Sequence, residues 1–374
     1  MRKTLLLTHE YYPFKGGVAN YCYNLFRFLH KKDYMVVTDN PAVKTQENVY
    51  NIRLTNKLIR PSWITGYFKI KKIIKRQNIK VIFTPNILPL GTMAYFLKIP
   101  YVISLHGLDI NLALKNRPRL TQKILNKAER VIVNSRYTYE IVKKLRIDNK
   151  KIHLLYPTTK IDTYIIPEKT QQLKRELSLG EANKILLTVS RLTRRKAQDL
   201  VIQAVAKLKN PHLKYFIIGH GPMEKNLRKM IKDYNLEKQI FVLTDVADNN
   251  LPYYYDLADI FVLAHRHDKT DIEGFGIVFL EAAMFALPII AGSSGGVTDI
   301  LTDQKNALLV KTDDLDTLTK HLNSLLNNPE LSAKLGSQAK QRAGDFPTAK
   351  EQSLMLKEIL SCKNLILYCL IYPI

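Results

Sequence analysis

The residues best suited to chemistry run from Glu273 to Glu281, Glu-Gly-Phe-Gly-Ile-Val-Phe-Leu-Glu. Two carboxylates stand eight positions apart, and a Gly-Phe-Gly turn follows the first. The spacing predicts a helix to about Ala286, then a buried strand in Leu-Pro-Ile-Ile-Ala. Glycine lets a backbone approach a ligand closely, and a helix start offers unpaired N–H groups to an anion. Glu273 then stands at the helix mouth and Glu281 one to two turns in. The arrangement suits a polyhydroxylated ligand that carries a phosphate, because carboxylates accept from hydroxyls while N–H groups hold the phosphate. The plain alternative makes Glu273 a first-turn acid favoured by the helix dipole and Glu281 a solvated helix residue.

A second charged group lies in Ser190-Arg-Leu-Thr-Arg-Arg-Lys196, after an expected strand and before an expected helix. Arg191 and Lys196 are five apart around a loop, so both could clamp a diphosphate. A solvated basic loop is the alternative, although this half of the chain is otherwise nearly neutral. His106, in Ser104-Leu-His-Gly-Leu-Asp109, ends another expected strand beside a glycine. It reads as a functional histidine or as a satisfied loop residue.

These groups need a scaffold, and the chain alternates strand and helix patterns. Apolar runs at Thr4–Thr8, Met35–Thr38, Val81–Thr84, Tyr101–Leu105 and Arg130–Asn134 are separated by helical spacing at Val18–His30, Pro118–Ala128 and Arg136–Leu145. The theme repeats with strands at 184–189, 213–218, 239–243, 260–263, 288–291 and 308–310, and helices between them and beyond. Alternating βα units imply a parallel sheet covered by helices on both faces. The expected division is residues 1–162, a polar linker 163–182, residues 183–345, and a closing helix with an apolar tail, 346–374. Open α/β sheets take ligands at the carboxyl ends of their strands. The glycine turns at 16–17, 219–221, 274–276 and 295–296 fall there. Two such domains facing each other would place the turns along one cleft, which suits a reaction that excludes water.

At 374 residues, 46% hydrophobic and 24% charged, the composition is that of a two-domain globular chain. Three cysteines without metal spacing argue against a disulfide framework and for a reducing compartment. The N-terminus reads as a first strand and not as a signal peptide, and no apolar run reaches the length of a membrane span. Residues 1–165 hold 30 Lys and Arg against 9 Asp and Glu, whereas residues 166–374 hold 27 against 24. That asymmetry points to an anionic partner for the first half: a membrane surface, a nucleic acid or a charged glycan. The segment Trp63–Arg76 spaces Ile70, Ile73 and Ile74 as one helix face among lysines. The face could lie in an anionic interface or pack on the core.

Together the Glu273–Glu281 string, the Ser190–Lys196 loop, the Gly219-His-Gly-Pro222 turn and Gly16-Gly17 resemble the GT-B glycosyltransferases of family 4, in order and spacing over about residues 4–345. Asp271–Ala282 and Ala291–Gly296 are most similar to the branch holding phosphatidyl-myo-inositol mannosyltransferases and related lipid-linked sugar transferases. The resemblance implies two Rossmann-like domains facing across a cleft, and a retaining hexosyl transfer from a nucleotide sugar to a lipid-linked or cell-envelope glycan. GDP-mannose is the favoured donor, with UDP-sugars as close alternatives. It implies that Glu281 binds the donor ribose, and that Glu273, Gly274, Phe275, Gly276 and Ile277 hold the donor sugar. Arg191 and Lys196 would neutralise the diphosphate leaving group, and Gly219 would help form the donor pocket. Gly16 and Gly17 would admit diphosphate and acceptor, and His106 would face the transferred sugar. No protein nucleophile is assigned. No metal and no other cofactor is expected, since Asp314-Leu-Asp316 reads as a helix cap and His265-Arg-His267-Asp268 is only a loose metal candidate. The expected setting is cytoplasmic, on the inner face of the cytoplasmic membrane, with no nucleic acid; a nucleic-acid-binding protein and an inactive assembly relative are the competing readings. Three departures from the family pattern stand out: Ala197 and Ala286 where glycine is usual, and Asp299 where glutamate is usual. The tail 362–374 matches no family pattern.

Overall fold

The computed structural model describes residues 1–14, 16–56, 58–267 and 272–361. The described residues form two compact units, Met1–Lys160 with 347–361, and Ile161–Phe346. The apolar tail 362–374, Asp268 and Asp271 lie outside the described residues.

The first unit holds seven strands: β1 (Thr4–Thr8), β2 (Tyr34–Thr38), β3 (Val49–Asn51), β4 (Val81–Thr84), β5 (Tyr101–Leu105), β6 (Arg130–Val133) and β7 (Ile152–Leu154). They form one parallel sheet in the order β3-β2-β1-β4-β5-β6-β7. Every residue of β1 is buried, as expected of a parallel strand covered on both faces. Strand alternation then sorts its leucines. Leu5 and Leu7 pack with Ile82 and Ile103 on one face, and Leu6 packs with Phe26 and Phe83 on the other.

The helix Ala349–Leu360 returns to this second face through Leu356, Ile359 and Leu360. A Thr348–Glu351 capping box starts it. The Gln352 side chain donates to the Tyr156 carbonyl at 2.6 Å, and Ser353 Oγ donates to the Asn24 carbonyl at 2.9 Å.

In the helix Ile64–Gln77, Ile70 is fully buried, and Ile73 and Ile74 pack against the same core as Leu5. Of the two readings of this helix, the core reading therefore holds for the isoleucines. Gly66 fixes the approach, because a Cβ there would stand 2.2 Å from the Leu54 carbonyl oxygen. Lys71, Lys72, Lys75 and Arg76 remain exposed on the other side.

The second unit holds β8 (Lys184–Val189), β9 (Leu213–Ile218), β10 (Ile240–Leu243), β11 (Ile260–Leu263), β12 (Ile289–Gly292) and β13 (Leu308–Val310). They form a parallel sheet in the order β10-β9-β8-β11-β12-β13. The segment 163–182, expected to join the domains, carries the helix Pro167–Glu176, whose Thr170 donates to Asp256 at 2.7 Å within this unit. Each unit is thus a Rossmann-like α/β layer structure. Among the described residues no helix is long and apolar enough to cross a membrane.

Candidate active site

In the second unit β8 delivers the basic loop. Leu192 is fully buried and anchors it, its N–H donating to the His220 carbonyl at 2.9 Å. Gly219 closes the facing turn at φ 139°, and a Cβ there would stand 2.0 Å from the Ser190 carbonyl oxygen. Only glycine meets both conditions. A 3-10 turn, Arg194–Lys196, then turns Lys196 inward.

Lys196 Nζ binds Glu273 Oε2 at 2.5 Å, and Arg195 binds the same oxygen at 2.6 Å. The Glu273 side chain is 12% exposed. Burial alone would raise its pKa, but Lys196 and Arg195 together pull the carboxyl well below the ordinary range. Burial likewise lowers Lys196, Glu273 opposes that shift, and the neighbouring charges of Arg195 and Arg191 add to it.

The late Gly-Gly pair frames the same glutamate. Gly296 N–H donates to the Glu273 carbonyl at 2.9 Å, and a Cβ on Gly295 would lie 2.2 Å from that oxygen. Gly276 adopts φ 84° at the start of the helix Ile277–Met284, and a Cβ there would strike the Phe279 ring at 2.5 Å. Phe275 is buried against the edge of Phe346. Ile277 is the first helical residue, and Gly274 lies in the turn before it. Further along this helix, Glu281 accepts from Tyr255 Oη at 2.9 Å. Burial, then Glu281, pushes the Tyr255 hydroxyl far above its usual range and keeps it a donor.

The structure thus brings Lys196, Glu273, the Gly274–Gly276 turn and Gly295-Gly296 together. Arg191 is exposed, while Arg195 takes the ion pair. Sequence reasoning passed over Arg195, Tyr255 and Arg266. Arg266 grips Asp199 with two bonds of 2.8 Å, binds Asp313, and donates to the Arg194 carbonyl at 2.8 Å. It braces the basic loop from behind. The signal was one more arginine inside the stretch weighed as a metal candidate. There His265 is buried against Phe279 and within reach of two backbone carbonyls, and His267 is exposed. Asp314 caps the helix Leu315–Asn327 through the Thr317 N–H. No group of three or more metal-type donors occurs among the described residues.

In the first unit Gly16 precedes the helix Gly17–Phe26. A Cβ on Gly16 would lie 3.0 Å from Glu10 Oε2, whereas Gly17 faces open space. His106 follows β5. The Tyr21 ring, one turn into the Gly17 helix, meets the His106 ring edge-on at 4.8 Å, so the two motifs adjoin. Burial pulls the His106 imidazole down to about 4, which keeps it neutral at pH 7. The His106 backbone N–H donates to Asp109 Oδ1 at 2.8 Å.

The sequence matches two family descriptions, "Glycosyl transferases group 1" over residues 169–342 and "Glycosyltransferase Family 4" over residues 15–162. The chain belongs to the family 4 glycosyltransferases. This glycosyltransferase is similar to a GDP-mannose-dependent alpha-(1-6)-phosphatidylinositol monomannoside mannosyltransferase of Mycolicibacterium smegmatis, at 26% identity over 96% of this chain and 98% of the relative. It is 25% identical to N-acetyl-alpha-D-glucosaminyl L-malate synthase of Bacillus anthracis, over 73% of this chain and 72% of the relative. Among solved structures, Anabaena HepE in complex with UDP-glucose superposes with a TM-score of 0.81 at 20% identity, covering 96% of this chain and 100% of that one. The fold is GT-B, and the enzyme is a hexosyltransferase that uses a nucleotide sugar.

The family glycosyltransferase departs from its pattern where the backbone demands most. Ala197 and Ala286 both sit in the left-handed region, at φ 54° and 56°. Asp299 is buried at the end of the turn Gly295–Asp299, and its carbonyl accepts from Arg342.

Proposed function

We propose that this glycosyltransferase moves a hexosyl group from GDP-mannose to a lipid-linked or cell-envelope glycan acceptor, with retention of configuration. The donor assignment leans on the relative named as GDP-mannose-dependent. A UDP-sugar is the second reading, favoured by the UDP-glucose complex of a protein with the same fold. The observation that carries the reading is Glu273. Both cations take its Oε2, which leaves Oε1 to accept from a sugar hydroxyl beside the glycine turn. Glu281 would hold the ribose. Gly219 would keep the donor pocket open, and Gly274, Phe275, Gly276 and Ile277 would present backbone to the donor. Lys196, Arg195 and Arg191 would meet the charge that grows on the leaving diphosphate, so no metal or other cofactor enters the proposal. Gly16 and Gly17 would admit diphosphate and acceptor, and the neutral His106 would face the transferred sugar. The basic first unit would hold the enzyme on the anionic inner face of the cytoplasmic membrane.

Thermal stability of the purified protein with GDP, UDP and their common sugar conjugates tests the donor. A ligand that binds only the native state stabilises it by about 2.7 kcal/mol at a hundredfold excess over its Kd. A shift with guanine nucleotides alone is expected. A shift with uridine nucleotides alone would replace GDP-mannose by a UDP-sugar, and no shift with any nucleotide would overturn the site. Lys196→Ala and Glu281→Ala should each remove most transfer activity, and wild-type rates in both would refute the assigned roles.

A further inference from the structure

We propose that His9, held by Asp39, is a binding residue for a hydroxyl of a polyol acceptor; this rests on the transferase reading above. The strands of the first sheet are parallel, so their carboxyl ends share one edge. Thr8 and Thr38 are partners in register, which sets His9 beside Asp39. His9 Nδ1 and Asp39 Oδ1 are 2.7 Å apart. Thr55 Oγ1 donates to Asp39 Oδ2 at 3.3 Å. Asn86, past the end of β4, accepts the His9 backbone N–H at 3.4 Å.

Burial would raise the Asp39 carboxyl, yet the bonds from His9, Thr55 and the Leu54 backbone bring it below its usual range. An ionised carboxylate only accepts, so in the neutral imidazole Nδ1 carries the proton and Nε2 keeps a lone pair. Among the described residues Nε2 has no protein partner, and the side chain is 29% exposed. A histidine so oriented and left with a bare acceptor fits a donor from outside the chain. Nothing else nearby makes a metal site, since no group of three metal-type donors occurs among the described residues. His106 lies on the same edge, past β5. With β4 between, the two histidines stand two strand spacings apart, about 10 Å. A hydroxylated acceptor lying along the edge can therefore reach both. Asp39 is a positioning residue that sets the tautomer.

The test uses the full chain and its His9→Gln, His9→Ala and Asp39→Asn variants. Imidazole ¹⁵N NMR, with His9→Gln assigning the signal, should show the Nδ1–H tautomer. Methyl α-D-mannopyranoside or myo-inositol should move the Nε2 resonance, and Asp39→Asn should abolish both features. In transfer assays His9→Ala should raise the acceptor KM about tenfold, the worth of one hydrogen bond. His9→Gln, which offers an amide oxygen, should lose less, and the donor KM should not follow. An Nε2–H tautomer, an Nε2 indifferent to both polyols, or a change confined to the donor KM would overturn the proposal. The NMR arm needs no donor, so failure to bind any nucleotide sugar would sink the transferase reading and leave this inference decided separately.

Discussion

Glu273 keeps its charge because two cations share one of its oxygens, and the same pairing ties the basic loop to the glycine turn. Removing one partner from a buried ion pair costs about 3–5 kcal/mol. Arg195 would remain, so Lys196→Ala should fall at about 3 kcal/mol, read by urea unfolding; a loss within error of zero would show that the pair holds nothing together. His265 makes a second prediction at this scale. It is 1% exposed, and burial pulls it to about 4 from an ordinary 6.5. As pH falls through 6.5 the unfolded chain takes up a proton that the native chain refuses. Its stability contribution is therefore whole above 6.5 and is lost toward 4, at most about 3 kcal/mol. Asp109 works the other way. Burial raises it to about 7, so the native chain holds a proton that the unfolded chain has shed, and stability from this group grows as pH falls from 7 to 3.8. Glu273, whose ordinary value is 4.5, enters only below that pH. His265→Gln should flatten the fall in Tm between pH 6.5 and 4.5, and an unchanged slope would remove His265 from the acid response. At this scale Glu273 was legible as a carboxylate beside a glycine turn, and Lys196 as a cation five residues from Arg191 in a basic loop. Arg195 was not, because sequence cannot say which way a short turn carrying three adjacent cations faces.

Both glycine-to-alanine departures place a Cβ in the left-handed region, yet they should respond differently to repair. That region costs a residue with a Cβ roughly 1–2 kcal/mol, and glycine gives back about 0.5–1 kcal/mol in unfolded-state entropy. Ala197 is fully buried in the second unit's core, so deleting its methyl forfeits about 0.8 kcal/mol more and the balance lies near zero. Ala286 is half-buried at a helix end. Ala286→Gly should therefore raise stability by about 0.5 kcal/mol and Ala197→Gly should not, both read as Tm by calorimetry; the reverse order would refute the ledger. The contrast was invisible in sequence, where both positions are simply alanines in place of glycine. Longer elements were easier to read. β1, β4 and β5 are continuous apolar runs because both sheet faces are covered, and such runs stand out from their surroundings. The three-residue edge strands β3 and β7 offer no period to detect. The helix Leu108–Asn116 starts from Gly107 at φ 86°, a conformation that no local pattern announces. The helix Pro167–Glu176 was hidden by polar composition, since it buries little beyond Thr170.

The net charge of +24 is a property of the whole chain, but its weight lies in the first half, with 30 cations against 9 anions. The structure sharpens what that excess offers a membrane. Ile70, Ile73 and Ile74 of the helix Ile64–Gln77 are spent on the core, so they cannot be the inserting face that a helical wheel suggests. What the helix presents instead is Phe68, 63% exposed, in a shallow groove with Lys71, Lys72, Lys75 and Arg76. Attachment through that groove would be mainly electrostatic, with little apolar insertion, and should therefore fade with salt as exposed charges are screened. Lysine and arginine near an anionic bilayer contribute about 1 kcal/mol each. The four together could give about 4 kcal/mol, and a third of that is about tenfold in partition. Replacing all four by glutamine should thus weaken binding to phosphatidylglycerol-containing vesicles at least about tenfold at low salt, with no effect on neutral vesicles. Tm should hold, because none of the four is buried. Equal binding of wild type and variant would move the anionic contact elsewhere on the first unit. Absence of binding by the wild type at low salt would reject membrane attachment and leave the charge to a soluble anionic glycan acceptor.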